Sequence, residues 1–463
     1  MRIGSYHIGV GPWRADPQGS GMRQGLGLSP LSLVGGFILL ILGGAVLLSL
    51  PMSTAAGRMT GLLDALFTST SAVCVTGLVV VDTGTHWSLL GQAIVLVLIQ
   101  IGGFGFMTSA TLLLLAFRRR IGLRERLLVG ETIGVSVPGG LVRLVRNMAL
   151  LTLALESAGA LVLFARFAVT EGVGRGLWMA VFQSVSAFNN AGFDVFGDFV
   201  SLTALRTDAV VVLTMAVLLV TGGLSYVVLA DIYHQRRFVR LSLDSKLVLV
   251  VSRVLVAVAV LVYLWAEWGN PGTLGPLALP EKLLCAVFQA VTPRTAGFTT
   301  VNIGAMHSYT LLFTMFLMFV GGASGSTAGG IKVNTFGVLV AAVVSTLKGR
   351  AHASAFGREL SVEHVFRALA VVALALSFVG TSILLLYMTE DADVLKLAFE
   401  AVSAFGTVGL STGITPGLSE AGRLIIIVTM FVGRLGPIYL ALALVQRRRA
   451  QEYRYPGEAV RIG

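Results

Sequence analysis

Four almost evenly spaced glycines could shape this chain into a binding site for a cation: Gly77, Gly192, Gly297 and Gly409. Each ends a segment in which a phenylalanine, a polar residue and a serine or threonine occur in that order, and each is followed by Leu or Phe. The spacing from phenylalanine to glycine is the same in three copies and one residue shorter in the third. Four copies of one loop indicate a ring of loops around one axis.

Backbone carbonyl oxygens are the ligands that such loops would offer. Glycine adopts at low cost the backbone angles that turn successive carbonyls toward one axis, and rings of carbonyls replace the water around a cation in ion filters. The stretches before the glycines hold no carboxylate, the ligand type that Mg²⁺ and Ca²⁺ demand, which favours a large monovalent cation. The predicted filter residues are Cys74, Val75, Thr76, Gly77, Asn189, Asn190, Ala191, Gly192, Thr295, Ala296, Gly297, Thr407, Val408 and Gly409.

The composition places these loops in a lipid bilayer. Hydrophobic residues make up 55% of the chain and charged residues only 12%, which is far below the charge content of a soluble domain. Apolar runs long enough to span a membrane occur at 31–50, 88–117, 209–230, 308–331 and 368–389. With one or two ionisable residues allowed in each, three more runs qualify at 147–165, 247–266 and 421–445. We therefore predict eight membrane spans.

The segments that lead to the four glycines are too short to cross the bilayer. They lie near 63–76, 177–191, 282–296 and 394–408, each between the two spans of a pair. We therefore predict an all-α polytopic membrane protein, in which four tandem repeats of span, re-entrant pore helix and span surround one pore in pseudo-fourfold arrangement. The predicted divisions are an N-terminal arm at 1–30, repeats at 31–126, 127–240, 241–350 and 351–446, and a tail at 447–463.

A second glycine element follows every loop and predicts a thin point in the second span of each repeat. In the third repeat this element extends to residues 321–332, which are too rich in glycine to remain helical. Because non-helical backbone at membrane depth is tolerated only against protein or water, we predict that this stretch lies across the pore. Its lysine is one residue late for a phosphate-binding loop and no strand precedes it, so it is not a credible nucleotide motif.

Arg434 takes the place of a glycine in the element of the fourth repeat. An ionisable residue inside a membrane span is functional by default, although pairing with a carbonyl or with an acid such as Glu156 would also account for it. We predict that the interrupted stretch and Arg434 form a constriction below the filter. The predicted gate residues are Gly321, Gly322, Gly325, Ser326, Thr327, Gly329, Gly330, Lys332 and Arg434.

The net charge of +11 comes from positions that indicate membrane orientation rather than nucleic-acid binding. Basic residues concentrate at 118–126, 234–246, 348–367 and in the C-terminal tail, which are the links between repeats. The positive-inside rule then predicts that these links and both termini lie in the cytoplasm. All four pore loops would open to the outside, which argues against an inverted-repeat transporter. Anionic lipid headgroups are one candidate partner of these basic links, and a cytosolic protein partner is the other.

The chain offers no set of groups for covalent or metal-dependent catalysis. The six histidines lie in the N-terminal arm or at predicted span ends without metal-ligand spacing, and no carboxylates are paired for acid and base roles. The two cysteines fall in predicted membrane segments, so a structural disulfide is not expected. We predict that the protein is not an enzyme.

The series TSTSAVCVTGL, SVSAFNNAGF, TPRTAGF and SAFGTVGLST, with the interrupted stretch and Arg434, resembles the bacterial K⁺ uptake superfamily of Trk, Ktr and HKT proteins. The resemblance covers roughly residues 31–445. Only 30 residues precede the first repeat, which leaves no room for the extra helix pair of the Trk type, so the chain is more similar to the Ktr type of membrane subunit.

The resemblance implies a K⁺-selective translocating subunit in the bacterial cytoplasmic (inner) membrane, with one pore in each protomer of a homodimer. It implies no cofactor bound by this chain, K⁺ as the transported ion, Na⁺ as a stimulator, and nucleotide only through a cytosolic nucleotide-binding regulatory ring. Two departures are Pro293 in the shortened third loop, which could distort the filter, and Cys74 near the ion path, which could confer sensitivity to thiol reagents. A Na⁺-coupled or K⁺/Na⁺ cotransporter on the same scaffold is the alternative.

Overall fold

The computed structural model describes residues 30–105 and 141–436. Apart from short 3₁₀ turns and one two-residue hairpin, this part of the chain is built from helices and loops. The helices are α1 Pro30–Ser49, α2 Leu62–Val73, α3 Thr83–His86, α4 Leu89–Phe104, α5 Leu141–Glu171, α6 Val173–Phe188, α7 Ala209–Gly223, α8 Tyr226–Gln235, α9 Leu243–Glu267, α10 Leu279–Val291, α11 Ser308–Phe319, α12 Val333–Leu347, α13 Val362–Thr389, α14 Val394–Gly406 and α15 Glu420–Leu435.

The hairpin joins α12 to α13. Its strands, β1 Ser354–Ala355 and β2 Arg358–Glu359, pair antiparallel, with Ser354 opposite Glu359. The helical content confirms the prediction of an all-α polytopic membrane protein. The predicted N-terminal arm up to residue 29, the basic link at 118–126 and the tail at 447–463 lie outside the described residues.

Three of the described helices are long and apolar enough to cross a membrane by themselves: Arg143–Glu171, Leu243–Glu267 and Val362–Thr389. They correspond to the predicted spans at 147–165, 247–266 and 368–389. The remaining predicted spans correspond to shorter helices or extend into residues that are not described. The total of eight crossings and the repeat boundaries therefore stay predictions.

The predicted single span at 209–230 is divided into two helices, α7 and α8, whose axes meet at an angle of 96°. Leu224 between them is extended, with φ −86° and ψ 134°. The Ser225 hydroxyl then accepts a hydrogen bond from the Val227 amide at 3.2 Å and begins the second helix. Gly-Gly-Leu-Ser thus acts as a helix stop followed by an N-cap, a local signal that outweighs the uninterrupted hydropathy.

Side-chain caps also set where other helices begin. A serine or aspartate oxygen accepts a hydrogen bond from a backbone amide in the first turn, which satisfies one of the donors that a helix leaves unpaired. The capping residues of this kind in α4, α7, α9, α13, α14 and α15 are Ser88, Asp208, Ser242, Ser361, Asp393 and Ser419.

The four short helices α2, α6, α10 and α14 are anchored in the core by the recurring phenylalanine. Its side chain has no exposed surface in any copy, and the four residues are Phe67, Phe182, Phe288 and Phe399. Burial of one phenylalanine side chain contributes about 1.5–3 kcal/mol to stability. The four phenylalanines therefore help to hold each short helix at its depth in the core.

Glycines of the second element let neighbouring helices approach the ends of the short helices closely. A Cβ added to Gly102 would collide with the carbonyl of Val73, the last residue of α2. The same collision would occur between Gly222 and the Phe188 carbonyl, and between Gly433 and the Phe405 carbonyl. These glycines are therefore required by packing, because any larger residue would push the helices apart.

Candidate functional site

The four loop glycines form a closed ring. A Cβ placed on Gly77 would lie 2.8 Å from the Gly192 Cα, and one placed on Gly192 would lie 3.1 Å from the Gly297 Cα. A Cβ placed on Gly297 would lie 3.3 Å from the Gly409 Cα, and one placed on Gly409 would lie 3.1 Å from the Gly77 Cα. The ring order therefore follows the chain order, and glycines separated by more than a hundred residues meet at one point.

The residue before each glycine directs its carbonyl toward the neighbouring loop. A Cβ on Gly77 would lie 2.5 Å from the Ala191 oxygen, and one on Gly297 would lie 2.5 Å from the Val408 oxygen. The other two contacts join Gly192 with the Ala296 oxygen, and Gly409 with the Thr76 oxygen. Four carbonyl oxygens thus surround the ring, each at the seam between two loops.

The backbone of the four loops has one repeating conformation. The residue two positions before each glycine has a positive φ, of 57° at Val75, 58° at Asn190, 71° at Thr295 and 49° at Thr407. The glycines themselves have φ between 71° and 89°, whereas the residue in between is not in the positive region. Alternation between left-handed and ordinary backbone turns successive carbonyls toward one side. Four non-glycine residues held at positive φ mark a strained and constrained segment.

Hydrogen bonds to the short helices hold the loop amides away from the ring. The Thr76 amide donates to the Ser71 carbonyl at 2.8 Å, and the Ala191 amide donates to the Ser186 carbonyl at 2.8 Å. In the third loop the Ala296 amide donates to the Thr292 carbonyl at 3.0 Å, and in the fourth loop the Val408 amide donates to the Ser403 carbonyl at 2.9 Å. With their amides satisfied behind the loop, the carbonyls are free to serve as ligands.

The third loop reaches its place in the ring in spite of its missing residue. Its anchoring bond spans four residues, from Ala296 to Thr292, whereas the same bond spans five in the other loops. Thr295 nevertheless has the positive φ of its counterparts, and Gly297 still lies between its two neighbours. The distortion expected at Pro293 is therefore absorbed before the ring is reached.

A cavity of about 460 Å³ lies on the side of the ring formed by the residues that follow the glycines. All four glycines line it, together with the carboxylates Asp82 and Asp194 and the hydroxyls of Thr83 and Thr415. Burial raises the pKa of the Asp194 carboxyl to about 7; the Phe196 amide opposes this shift and the nearby charge of Asp82 adds to it. Asp82 accepts a hydrogen bond from the Phe199 amide at 2.8 Å, which joins the first loop to the second.

The stretch between α11 and α12 is non-helical, as predicted for residues 321–332. It lies close to Thr295 and Thr407, each two residues before a ring glycine. We call residues 320–332 the crossing loop. It is closed on itself, because the Gly321 amide donates to the Ile331 carbonyl at 2.8 Å and the Val333 amide donates to the Gly322 carbonyl at 2.9 Å. A Cβ on Gly329 would collide with the Thr407 side chain.

Two further bonds fasten the crossing loop to the end of α7. The Ala323 amide donates to the Gly223 carbonyl at 3.0 Å, and the Thr327 hydroxyl donates to the Gly222 carbonyl at 3.0 Å. Gly325, Ser326 and Gly330 lie in the same loop and are half-buried. The crossing loop is therefore fixed below the ring by contacts with several different elements.

Arg434 joins the crossing loop to α4. Its guanidinium donates to the Thr327 carbonyl and to the carbonyls of Gly102 and Gly103, the last of these at 3.5 Å. Lys332 donates to the Ala328 carbonyl of its own loop. The Arg434 and Lys332 side chains line a cavity of about 220 Å³ that Asn189 and Thr327 also line. Carbonyl pairing of Arg434, one of the roles considered from the sequence, is thus observed.

Glu156, the acid considered as a partner of Arg434, supports the second loop instead. Its carboxylate accepts a hydrogen bond from the Asn189 side chain at 3.0 Å and one from Gln100 at 3.4 Å. Asn189 and Cys74 follow directly after α6 and α2, and both side chains are buried. None of the four seam carbonyls belongs to either residue.

Sequence reasoning missed two charged side chains beside the loops. Glu400 in α14 is fully buried and accepts hydrogen bonds from Ser411, from the Thr412 amide at 3.2 Å and from the Thr415 hydroxyl at 2.9 Å. Arg294 in the third loop donates to the Gly321 carbonyl at 3.3 Å. The signal was present in both cases, because no other copy of the repeated pattern has an Asp, Glu, Lys or Arg at that place.

Backbone carbonyl oxygens surround the ring and are the groups there that could serve as ligands. Among residues 30–105 and 141–436, no three or more His, Cys, Asp or Glu side chains are grouped so that they could hold a metal ion. The arrangement can bind a dehydrated cation by dipoles, and the C-terminal ends of the four short helices, which adjoin the loops, add partial negative charge there.

The chain is similar to known cation transport proteins. The model of the TrkH family, described as a cation transport protein, matches residues 38–451. The chain is 43% identical to Ktr system potassium uptake protein B of Bacillus subtilis, over 94% of this chain and 96% of that protein. It is 38% identical to potassium/sodium uptake protein NtpJ of Enterococcus hirae, over 94% of this chain and 98% of that protein.

A solved structure has the same fold. The potassium transporter TrkH from Vibrio parahaemolyticus superimposes with a TM-score of 0.70, covering 91% of this chain and 86% of that one. The two sequences are 19% identical over this match, so the likeness concerns the architecture.

Proposed function

This chain belongs to the TrkH family of cation transport proteins, and from that premise we propose that it is the K⁺-translocating membrane subunit of a bacterial potassium uptake system. The observation that carries the proposal is the closed ring of Gly77, Gly192, Gly297 and Gly409, with a carbonyl oxygen at each seam. Such a ring needs no bound cofactor, because the protein backbone itself supplies the ligands.

The proposed filter acts by replacing the water around the ion. K⁺ approaches through the cavity that Asp82 and Asp194 line, and their carboxylates raise its local concentration. At the ring the carbonyls of Thr76, Ala191 and their two counterparts take the place of hydration water. Neutral carbonyl dipoles suit a weakly hydrated monovalent ion, whereas Mg²⁺ retains its water and Ca²⁺ prefers carboxylates. The filter residues predicted from the sequence are proposed in this role, with Cys74 and Asn189 as supports.

The crossing loop and Arg434 are proposed as the gate. The loop lies against Thr407 and is fixed by Arg434 to α4, so an ion that leaves the ring meets backbone and a cation instead of open water. The positive charge of Arg434 repels K⁺ while it remains in this place. Transport therefore requires the crossing loop to move.

A K⁺/Na⁺ transporter on the same scaffold is the second candidate function. The similarity to the potassium/sodium uptake protein NtpJ favours it. The greater identity to the Ktr system potassium uptake protein, with the carbonyl character of the ring, supports K⁺ as the main ion. Na⁺ then either stimulates K⁺ transport or is itself a second transported ion.

We further propose that two copies of this chain assemble as a homodimer, with a pore in each, and bind a cytosolic nucleotide-binding regulatory ring of the Ktr type. The name of the relative from Bacillus subtilis places that protein in a Ktr system. The basic links and tail are the proposed docking surface for this ring. Both termini would then be cytoplasmic and the protein would reside in the bacterial inner membrane.

Ion flux into liposomes that contain the purified protein tests the proposed function. Uptake of K⁺ is measured with and without Na⁺ on the outer side, and Na⁺ uptake is measured in parallel. K⁺ uptake that proceeds without Na⁺ and exceeds Na⁺ uptake supports the K⁺ pathway. K⁺ uptake that occurs only while Na⁺ is taken up in fixed proportion would establish the cotransporter instead.

A further inference from the structure

A cavity of about 430 Å³ opens between α7 and α9, beside the second and third glycine loops and the crossing loop. Its walls are largely aliphatic and include Leu219, Val220 and Val256. Two arginines, Arg253 of α9 and Arg294 of the third loop, also line it. Two guanidinium groups in an apolar cavity of a membrane protein need an explanation, since an ionisable residue at membrane depth is costly unless it has a partner.

Two polar atoms of this cavity lack a hydrogen-bond partner within the described part of the chain. They are Nε of Arg294 and the hydroxyl of Ser252, and both atoms are buried. Ser252 is only 9% exposed. Because buried polar groups nearly always find a partner, two unsatisfied groups that line one cavity indicate a ligand with hydrogen-bond acceptors.

The mouth of the cavity faces the direction in which lipid would lie. Val220, which lines it, is 44% exposed, and Val254, beside Arg253 in α9, is 55% exposed. Arg253 itself is exposed, so its charge is available at the mouth. A ligand that fills this site needs an anionic end for the arginines and a long apolar part for the valine-rich surface.

We propose that this cavity binds the phosphate headgroup of an anionic phospholipid. No carboxylate is among its lining residues, so the cavity is positively charged overall and matches a phosphate in charge. The acyl chains would lie along the exposed aliphatic faces of α7 and α9. A free phosphate ion would satisfy the arginines but would leave those faces without a partner.

The bound lipid would contact the transport machinery through Arg294. The same guanidinium that lines the cavity donates to the Gly321 carbonyl at the start of the crossing loop. A phosphate that pairs with Nε fixes the orientation of this side chain. The lipid would therefore stabilise one position of the crossing loop.

Retention of lipid by the purified protein tests the proposal without any need for transport. The full chain is reconstituted in phosphatidylcholine vesicles that contain a minority of phosphatidylglycerol and extracted again in mild detergent, and its retained lipids are quantified by mass spectrometry. The wild type is expected to be enriched in phosphatidylglycerol relative to the vesicles. Arg253→Gln is expected to lower this enrichment about fivefold, the factor that corresponds to about 1 kcal/mol per basic residue.

Two variants serve as controls. Arg253→Lys keeps the charge and should keep most of the enrichment, whereas Arg58→Gln removes an exposed arginine between α1 and α2 that does not line the cavity and should leave it unchanged. Wild-type enrichment in Arg253→Gln, or an equal loss in Arg58→Gln, would overturn the proposal. Release of the lipid by inorganic phosphate would also overturn it, because the site would then select phosphate alone.

Discussion

The guanidinium of Arg434 donates a hydrogen bond to the backbone carbonyl of Thr327 and so joins the last described helix to the crossing loop. The two residues are 107 positions apart in the chain. Because Arg434 also donates to the Gly102 carbonyl of α4, it joins three parts of the molecule at one point below the glycine ring. Loss of this residue should release the crossing loop without disturbing the ring itself.

Substitution Arg434→Met is expected to raise K⁺ flux through liposome-reconstituted protein by roughly tenfold. A hydrogen bond from a charged donor contributes about 1.5–3 kcal/mol, and about 1.4 kcal/mol corresponds to a factor of ten in the closed population. Arg434→Lys keeps the charge but has one compact donor group, so it should give an intermediate flux. Wild-type flux in a correctly folded Arg434→Met protein would show that Arg434 does not restrict transport.

The Asp194 carboxyl predicts that K⁺ uptake rises with the pH on its own side of the membrane. Burial raises its pKa to about 7, so the group is neutral below that pH and negative above it. Its attraction for K⁺ is therefore gained as the pH rises through about 7 and is lost as the pH falls. Asp194→Asn should lower uptake at high pH and remove this dependence, most clearly at low ionic strength where charges are weakly screened.

The matched control for this experiment is Asp198→Asn. Asp198 is exposed, lies four residues away and does not line the cavity. This variant should keep the pH dependence of the wild type. If Asp194→Asn and the wild type had the same pH profile, the dependence would have another origin and Asp194 would have no role in attracting K⁺.

Substitution of Glu400 is expected to change both the stability of the protein and its selectivity for K⁺ over Na⁺. Its buried carboxylate receives hydrogen bonds from Thr412 and Thr415, which follow the fourth glycine loop. Glu400→Ala leaves these donors unpaired, so we expect a loss of about 1–3 kcal/mol in the free energy of unfolding and a lower ratio of K⁺ to Na⁺ flux. Glu400→Gln keeps an acceptor oxygen and should lose less of both. A lower melting temperature with unchanged selectivity would reduce Glu400 to a purely structural residue.

The cysteines are expected to be inert toward thiol reagents in the folded protein. Cys74 and Cys285 both have 0% exposed surface, so a reagent that attacks the thiolate has no access to either sulfur. This differs from the sensitivity expected from the position of Cys74 in the sequence. A membrane-impermeant maleimide should label the protein only after unfolding. Labelling of Cys74 in the folded state, lost in Cys74→Ser, would mean that the first loop opens.

Much of the ring could be predicted from the sequence because its chemistry is local. Each glycine is needed for a positive φ and for a close approach, and both requirements leave a visible glycine at a fixed distance from an anchoring phenylalanine. The interruption of the third repeat was equally visible, since glycine-rich backbone at 321–332 cannot form a stable helix. A backbone conformation that only glycine adopts easily can therefore be recognised from the position of a glycine in the sequence.

Contacts between distant parts of the chain could not be predicted in the same way. The sequence marks Arg434 as unusual but does not show that its partners are the carbonyls of Thr327 and Gly102. The 96° bend after α7 was missed because hydropathy continues through it, although Ser225 offers a capping hydroxyl. Hydropathy indicates whether a segment lies in lipid or in water, but it does not indicate the direction of the helix axis.

The measurement that tests the filter most directly compares K⁺, Rb⁺ and Na⁺ flux in liposomes for the wild type, Gly297→Ser and Gly380→Ser. Gly297 has φ 80° and no room for a Cβ, whereas a Cβ on Gly380 of α13 would have nothing within 4 Å. The account predicts K⁺ and Rb⁺ selectivity in the wild type and in Gly380→Ser. It predicts a loss of selectivity of about tenfold or more in Gly297→Ser, because the strained backbone and the added side chain displace the carbonyl ligands. Undiminished selectivity in a folded, transporting Gly297→Ser protein would contradict the assignment of the ion path to the four glycine loops.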